Sequence, residues 1–135
     1  MFLHTQRLLL RNFTASDLEV FLAYRNDPAV AKYQSWSLPY TREKGEAFIR
    51  EMQDVHAPKQ GDWLQLALEL KETGVLIGDV VFGVKEEDIR QCTVGFTIAS
   101  AYWKHGYATE AMTALLDYLF EDVDMHRVVA DFSFR

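Results

Sequence analysis

Cysteine is almost absent from this chain: Cys92 is the only one. A single cysteine closes no internal disulfide, so a disulfide scaffold is excluded and a reducing cytoplasm is the expected setting. Proline is scarce, with three residues, and glycine is limited to seven. No Pro/Gly/Ser-rich linker, low-complexity tract or internal repeat divides the chain, so residues 1–135 are expected to form one domain. No apolar run approaches the length of a membrane span, and Met1 to Leu10 lacks the apolar core of a signal peptide. A membrane is therefore not an expected partner. Positive charge is not in excess either: 14 basic residues face 20 acidic ones, for a net charge of -6. General nucleic-acid binders carry a basic stripe, so nucleic acid is not an expected partner. A basic peptide or amine as substrate remains compatible with the acidic balance. His4, His56, His105 and His126 are scattered without metal-ligand spacing, so no metal site is expected.

What is present is a hydrophobic content of 49%, enough for a core in a chain of 135 residues. Thr5 to Arg11 reads as a first strand. Thr14-Ala15-Ser16-Asp17 resembles a capping box, opening a helix with Leu18, Phe21 and Leu22 on one face and an end before Asp27-Pro28. Val30 to Tyr40 reads as an aromatic loop carrying Tyr33, Trp36 and Tyr40. A second helix runs from Thr41 to about Gln53, with Phe48, Ile49 and Met52 as its stripe. After a loop at Ala57 to Asp62 the period changes to two. Trp63 to Leu70 and Val75 to Val84 form a hairpin about the turn Lys71 to Gly74. A charged turn, Lys85 to Arg90, leads to a third strand at Gln91 to Ala99. A long helix follows from about Tyr107 to Glu121, its face marked by Ala108, Ala111, Met112, Leu115, Leu116 and Leu119. Arg127 to Phe134 reads as a last strand. An antiparallel meander followed by a strand-helix-strand unit implies an α+β fold whose mixed sheet contains one parallel pair.

The segment between the third meander strand and the long helix carries the chemistry. Gly106 lacks a Cβ, so a bulky ligand can approach its backbone. The first turn of the helix offers N–H groups without intrahelical partners, and its dipole adds partial positive charge. Such an end suits an anion such as a pyrophosphate, with Lys104 and His105 at its entrance. The same residues also fit a plain glycine turn before a helix, since one glycine is a weak signal.

The run Tyr102 to Ala111 resembles motif A of the GNAT acetyltransferase superfamily, Arg/Gln-x-x-Gly-x-Gly/Ala, at Trp103, Gly106 and Ala108. It is most similar to the RimJ/RimL-like branch of ribosomal-protein N-terminal acetyltransferases, where Tyr-Trp-x-x-Gly-Tyr-Ala-Thr-Glu-Ala recurs. Thr5-Gln6-Arg7-Leu8 to Arg11, Leu76-Ile77-Gly78, Val94-Gly95-Phe96 and His126-Arg127-Val128 resemble further strands of that branch in order. The likeness covers essentially the whole chain.

The resemblance implies a GNAT fold with a splayed parallel strand pair, and direct transfer of an acetyl group from acetyl-CoA to a primary amine without an acyl-enzyme. The acceptor would be a small amine or a protein N-terminus. The implied cofactor-binding residues are Phe96, Thr97 and Ile98 at a strand end, with Trp103, Lys104, His105, Gly106, Tyr107, Ala108 and Thr109 at the pyrophosphate. Tyr33, Trp36 and Tyr40 are candidates for the acceptor pocket, or a cluster pinning their own loop. Relatives carry Glu where this chain has Thr93. A threonine hydroxyl is no base near neutral pH, although it can position water. Asp79 is a second candidate base and Glu69 a weaker one, each against a structural reading as a paired strand carboxylate; water is the third option. Cys92 reads as a core residue, and Glu110 as a carboxylate suited to the helix dipole. Relatives continue with another helix and two strands, so the domain is expected to be C-terminally incomplete, with a homo-oligomer one way to cover the sheet edge. Alternatives are a non-catalytic acyl-CoA-binding module and a degenerate interaction protein of the same fold.

Overall fold

The computed structural model of the chain describes residues 2–32, 36–53, 63–84, 91–121 and 127–130. Six strands lie in one sheet in sequence order: β1 (Phe2–His4), β2 (Leu8–Arg11), β3 (Trp63–Leu70), β4 (Val75–Val84), β5 (Gln91–Ile98) and β6 (Arg127–Ala130). The first five pair antiparallel, and β6 joins β5 in parallel. The helices are α1 (Leu18–Arg25), α2 (Pro28–Ala31), α3 (Arg42–Met52) and α4 (Tyr107–Glu121). The mixed α+β sheet expected from the meander and the strand-helix-strand unit is thus present.

Alternation places the core on both faces of the sheet. Leu64, Leu66 and Leu68 of β3 point one way and join Leu8, Leu10, Val80, Phe82 and Val94 against Ala111, Leu115 and Leu119 of α4. Ala67 and Leu76 face the other way, toward Phe21 and Tyr24 of α1 and Ile49 and Met52 of α3. Phe21 stacks on Phe48 at 4.9 Å, with Phe13 edge-on to both, and these rings fasten α1 to α3.

Two elements differ from the sequence-based expectation. Thr5 to Arg11 is not one strand. Thr5, Gln6 and Arg7 form the turn of a hairpin, closed by Thr5 N–H donating to the Leu8 carbonyl at 2.9 Å, and the short strand β1 precedes it. The start of the expected aromatic loop is the helix α2, with Asp27 accepting the Ala29 N–H at 2.9 Å as its N-cap and Pro28 opening it. The loops at 57–62 and 85–90 and the end of the last expected strand lie outside the described residues.

Gly78 of β4 lies against the backbone of β5. A Cβ there would stand 2.2 Å from the Thr97 carbonyl oxygen and 3.0 Å from Ile98 Cα. Both are backbone atoms, so no side-chain rotation relieves the clash. Gly78→Ala is expected to push β5 outward and cost about 1–3 kcal/mol, read from the urea midpoint of unfolding.

Candidate active site

The end of β5 and the start of α4 enclose a cavity of about 500 Å³. Its lining comprises Phe96, Ile98, Tyr102, Trp103, Lys104, Gly106, Tyr107, Ala108 and Thr109. The sheet contributes Phe96 and Ile98 because alternation turns them to the α4 face. Thr97, between them, is buried and turned away from this lining, in register with Asp79 of β4. The recorded pairing of β5 with β6 runs from Gln91 to Val94, so among the described residues Gly95 to Ile98 have no parallel partner.

The turn into α4 is left-handed at two residues, Lys104 with φ 68° and Gly106 with φ 80°. The first intrahelical bond recorded at this end joins Glu110 N–H to the Gly106 carbonyl at 3.1 Å. The N–H groups of Tyr107, Ala108 and Thr109 precede it and have no acceptor within the helix. These donors, the helix dipole, exposed Lys104 and apolar Phe96 and Ile98 give one cavity with a cationic end and an apolar end. Trp103 acts as a strut. Its indole Nε1–H donates to the Ile98 carbonyl at 2.7 Å, tying the turn back to the strand.

Eight of the ten residues expected around a cofactor line this cavity; Thr97 and exposed His105 do not. Tyr102 does so without having been singled out. Among the described residues, Asp79, Thr93, Trp36 and Tyr40 do not line it. Asp79 is buried, accepting from the Tyr24 hydroxyl and from Gln65 Nε2 at 3.0 Å, with Arg25 Nη2 at 3.7 Å. Burial raises its pKa from the ordinary value of 3.8, with Arg25, Tyr24 and Gln65 pulling it back. Residues of α1 and β3 occupy its hydrogen-bonding positions, the arrangement that the paired-carboxylate reading expects. Glu69 is paired with Arg11 at 2.9 Å. Thr93 is a mid-sheet residue, in register with Gly83 and Val129, and does not line the cavity.

Trp36 and Tyr40 wrap Arg25. Its guanidinium carbon stands 4.0 Å from the Trp36 ring centroid, 4.7 Å from Phe21 and 5.4 Å from Tyr40, while the Trp36 indole donates to the Arg25 carbonyl at 2.8 Å. The rings shelter a buried cation whose Nε has no hydrogen-bond partner among the described residues, an arrangement worth about 2 kcal/mol when desolvated. Of the two readings open for these aromatics, the local cluster describes their contacts. Tyr33 and the Cys92 side chain lie outside the described residues. Among the described residues no group of three His, Cys, Asp or Glu side chains converges on a metal position, and no helix is long and apolar enough to cross a membrane.

Comparison with known proteins decides the family. The family model described as the acetyltransferase (GNAT) domain matches residues 7–134. The chain belongs to the GNAT acetyltransferase family. This GNAT chain is 31% identical to the uncharacterized N-acetyltransferase YnaD of Bacillus subtilis (strain 168), over 96% of its own length and 72% of that protein's. Its fold superposes on the GNAT-family acetyltransferase of Bacillus anthracis with a TM-score of 0.80 and 28% identity, covering 96% of this chain and 72% of that one. RimL, a ribosomal L7/L12 alpha-N-protein acetyltransferase solved in complex with coenzyme A, shares the fold at a TM-score of 0.76 and 15% identity, with 96% of this chain and 73% of that one covered.

Glu110 of this GNAT domain has its pKa lowered. Partial burial works against ionisation, but hydrogen bonds from the Thr5 hydroxyl and from the Arg7 backbone and side chain outweigh it. A folded carboxylate held below its ordinary value of 4.5 adds stability that is present above that pH and is lost as pH falls through the folded pKa. Glu110→Gln is therefore expected to flatten the decline of the urea midpoint below pH 4.5 relative to the parent.

Proposed function

We propose that this chain transfers an acetyl group from acetyl-CoA to a primary amine, either a small amine or a protein N-terminus. The observation that carries the reading is the single cavity in which Lys104 to Thr109, except His105, meet the open end of β5 at Phe96 and Ile98. The free N–H groups of Tyr107, Ala108 and Thr109 suit the pyrophosphate, and the apolar end suits the pantetheine arm. The N–H groups near Ile98 are the candidate donors to the acetyl carbonyl. Acetyl-CoA supplies an activated thioester. The chain's part is to bind it, orient the amine and take up charge. With neither Asp79 nor Thr93 on the cavity, the amine proton is assigned to water. A cytoplasmic setting belongs to this reading, supported by the lone cysteine.

The absence of Thr93 and Asp79 from the cavity lining favours a second reading, an acyl-CoA-binding module without turnover. Calorimetric titration with acetyl-CoA, followed by a thiol-release screen against small amines and peptides with free N-termini, separates the two. Saturable binding with thiol release is expected. Binding without release on any amine supports the module, and a folded chain that binds nothing overturns both.

A further inference from the structure

The turn that delivers the helix N–H groups is held in a conformation that chain sterics disfavour. A non-glycine residue such as Lys104 is strained in the left-handed region, so something outside the turn has to secure it. Arg7, in the β1–β2 hairpin 98 positions away from His105, does so. Its Nη1 donates to the His105 carbonyl at 2.9 Å, and its Nε donates to Glu110 Oε1 at 2.7 Å. Its guanidinium lies over the Tyr107 ring at 4.4 Å. Its backbone N–H donates to Glu110 Oε2 at 2.8 Å, and the Thr5 hydroxyl donates to the same oxygen. Nη2 stands 3.4 Å from where a Cβ on Gly106 would sit.

We infer that Arg7 is a positioning residue for the phosphate end of the cofactor site. It fastens the His105 carbonyl and the first turn of α4 to the hairpin, and so aims the N–H groups of Tyr107, Ala108 and Thr109 into the cavity. Glu110 acts through it, orienting the guanidinium. The inference rests on the acyl-CoA reading above. A clamp that served only stability would affect every ligand of the cavity alike. A clamp that positions the turn affects ligands carrying the pyrophosphate and spares those that lack it.

The test compares coenzyme A with pantetheine, titrated to millimolar concentration by calorimetry, on the whole chain and four variants. Arg7→Met keeps much of the apolar stem and removes the donors. It is expected to weaken coenzyme A about tenfold, the loss of one charge-assisted contact, while pantetheine changes less than about twofold. Arg7→Lys is expected to recover part of the loss. Thr5→Ala, which loosens the hairpin but leaves His105 held, is expected to leave coenzyme A within about twofold. Adding Glu110→Gln to Arg7→Met is expected to cost little more, because both act on one contact. Equal losses on both ligands, unchanged coenzyme A affinity in Arg7→Met, or as large a loss in Thr5→Ala overturns the inference. If pantetheine binds to no variant, the comparison of Arg7→Met with Thr5→Ala on coenzyme A decides. A parent chain that is folded and silent toward coenzyme A overturns the acyl-CoA reading, and the role assigned to Arg7 falls with it.

Discussion

Gly106→Trp is expected to abolish acetyl-CoA binding while the chain stays folded. Two effects coincide at this position. The backbone is left-handed, with φ 80°, a conformation that costs an L residue about 1–2 kcal/mol. The position also lines the cavity immediately before the free N–H groups of α4, so an indole there fills space that a pyrophosphate needs. Among the described residues a Cβ alone meets Arg7 Nη2, at 3.4 Å, which is tight but concerns the end of a flexible side chain. Gly106→Ala therefore carries the backbone cost without the bulk, and it separates the two effects. The tryptophan variant is expected to lose at least about 100-fold in affinity, about 2.8 kcal/mol, and the alanine variant markedly less. Calorimetry reads the affinities, and the urea midpoint of each variant checks that the fold survives. Equal binding by parent and tryptophan variant would place the ligand somewhere other than this turn.

Asp79→Ala is expected to produce the largest loss of stability. Removing the carboxylate leaves Arg25 as a buried cation whose Nε already lacks a partner among the described residues, and it takes the acceptor from the Tyr24 hydroxyl and from Gln65. Breaking a buried pair by deleting one partner costs about 3–5 kcal/mol. That is a large fraction of the roughly 5–15 kcal/mol by which domains are stable. Replacing both members with apolar residues, Arg25→Met with Asp79→Leu, is expected to cost less than the sum of the single changes, since neither charge is then left alone. Because burial raises the pKa of Asp79, its contribution favours the folded state below its ordinary value of 3.8 and declines as pH rises through the folded pKa. That sign is opposite to Glu110, so the two carboxylates are distinguishable in urea midpoints measured against pH. An Asp79→Asn variant that keeps full stability would show that the charge of Asp79 contributes little to the fold.

The same two residues show where sequence reading ends. Both are carboxylates whose partners come from distant parts of the chain. Asp79 lies on the middle strand of the meander, an ordinary place for a paired carboxylate and a plausible one for a base. Only the tertiary packing brings Tyr24, Arg25 and Gln65 around it. Glu110 reads as a dipole partner at the start of a helix. Its actual contacts are Thr5 and Arg7, across the molecule. Trp36 and Tyr40 are legible as a cluster but not as the wrapping of Arg25, because the cation they enclose comes from α1, outside their own loop.

The sequence by itself determined the order of the main elements, the parallel joining of the last strand, and the segment from Trp103 to Thr109. Period-two and helical spacing, and the residues before a helix start, are local signals carried by neighbouring positions. The tertiary structure alone decided three matters: that Phe96 and Ile98 meet that segment in one cavity while Thr97 faces Asp79, that the candidate bases lie away from it, and that Arg7 secures the turn. Each depends on which face of the sheet a strand residue presents and on which distant element packs there. Those are contacts between residues far apart in the chain, set by the burial of the whole core.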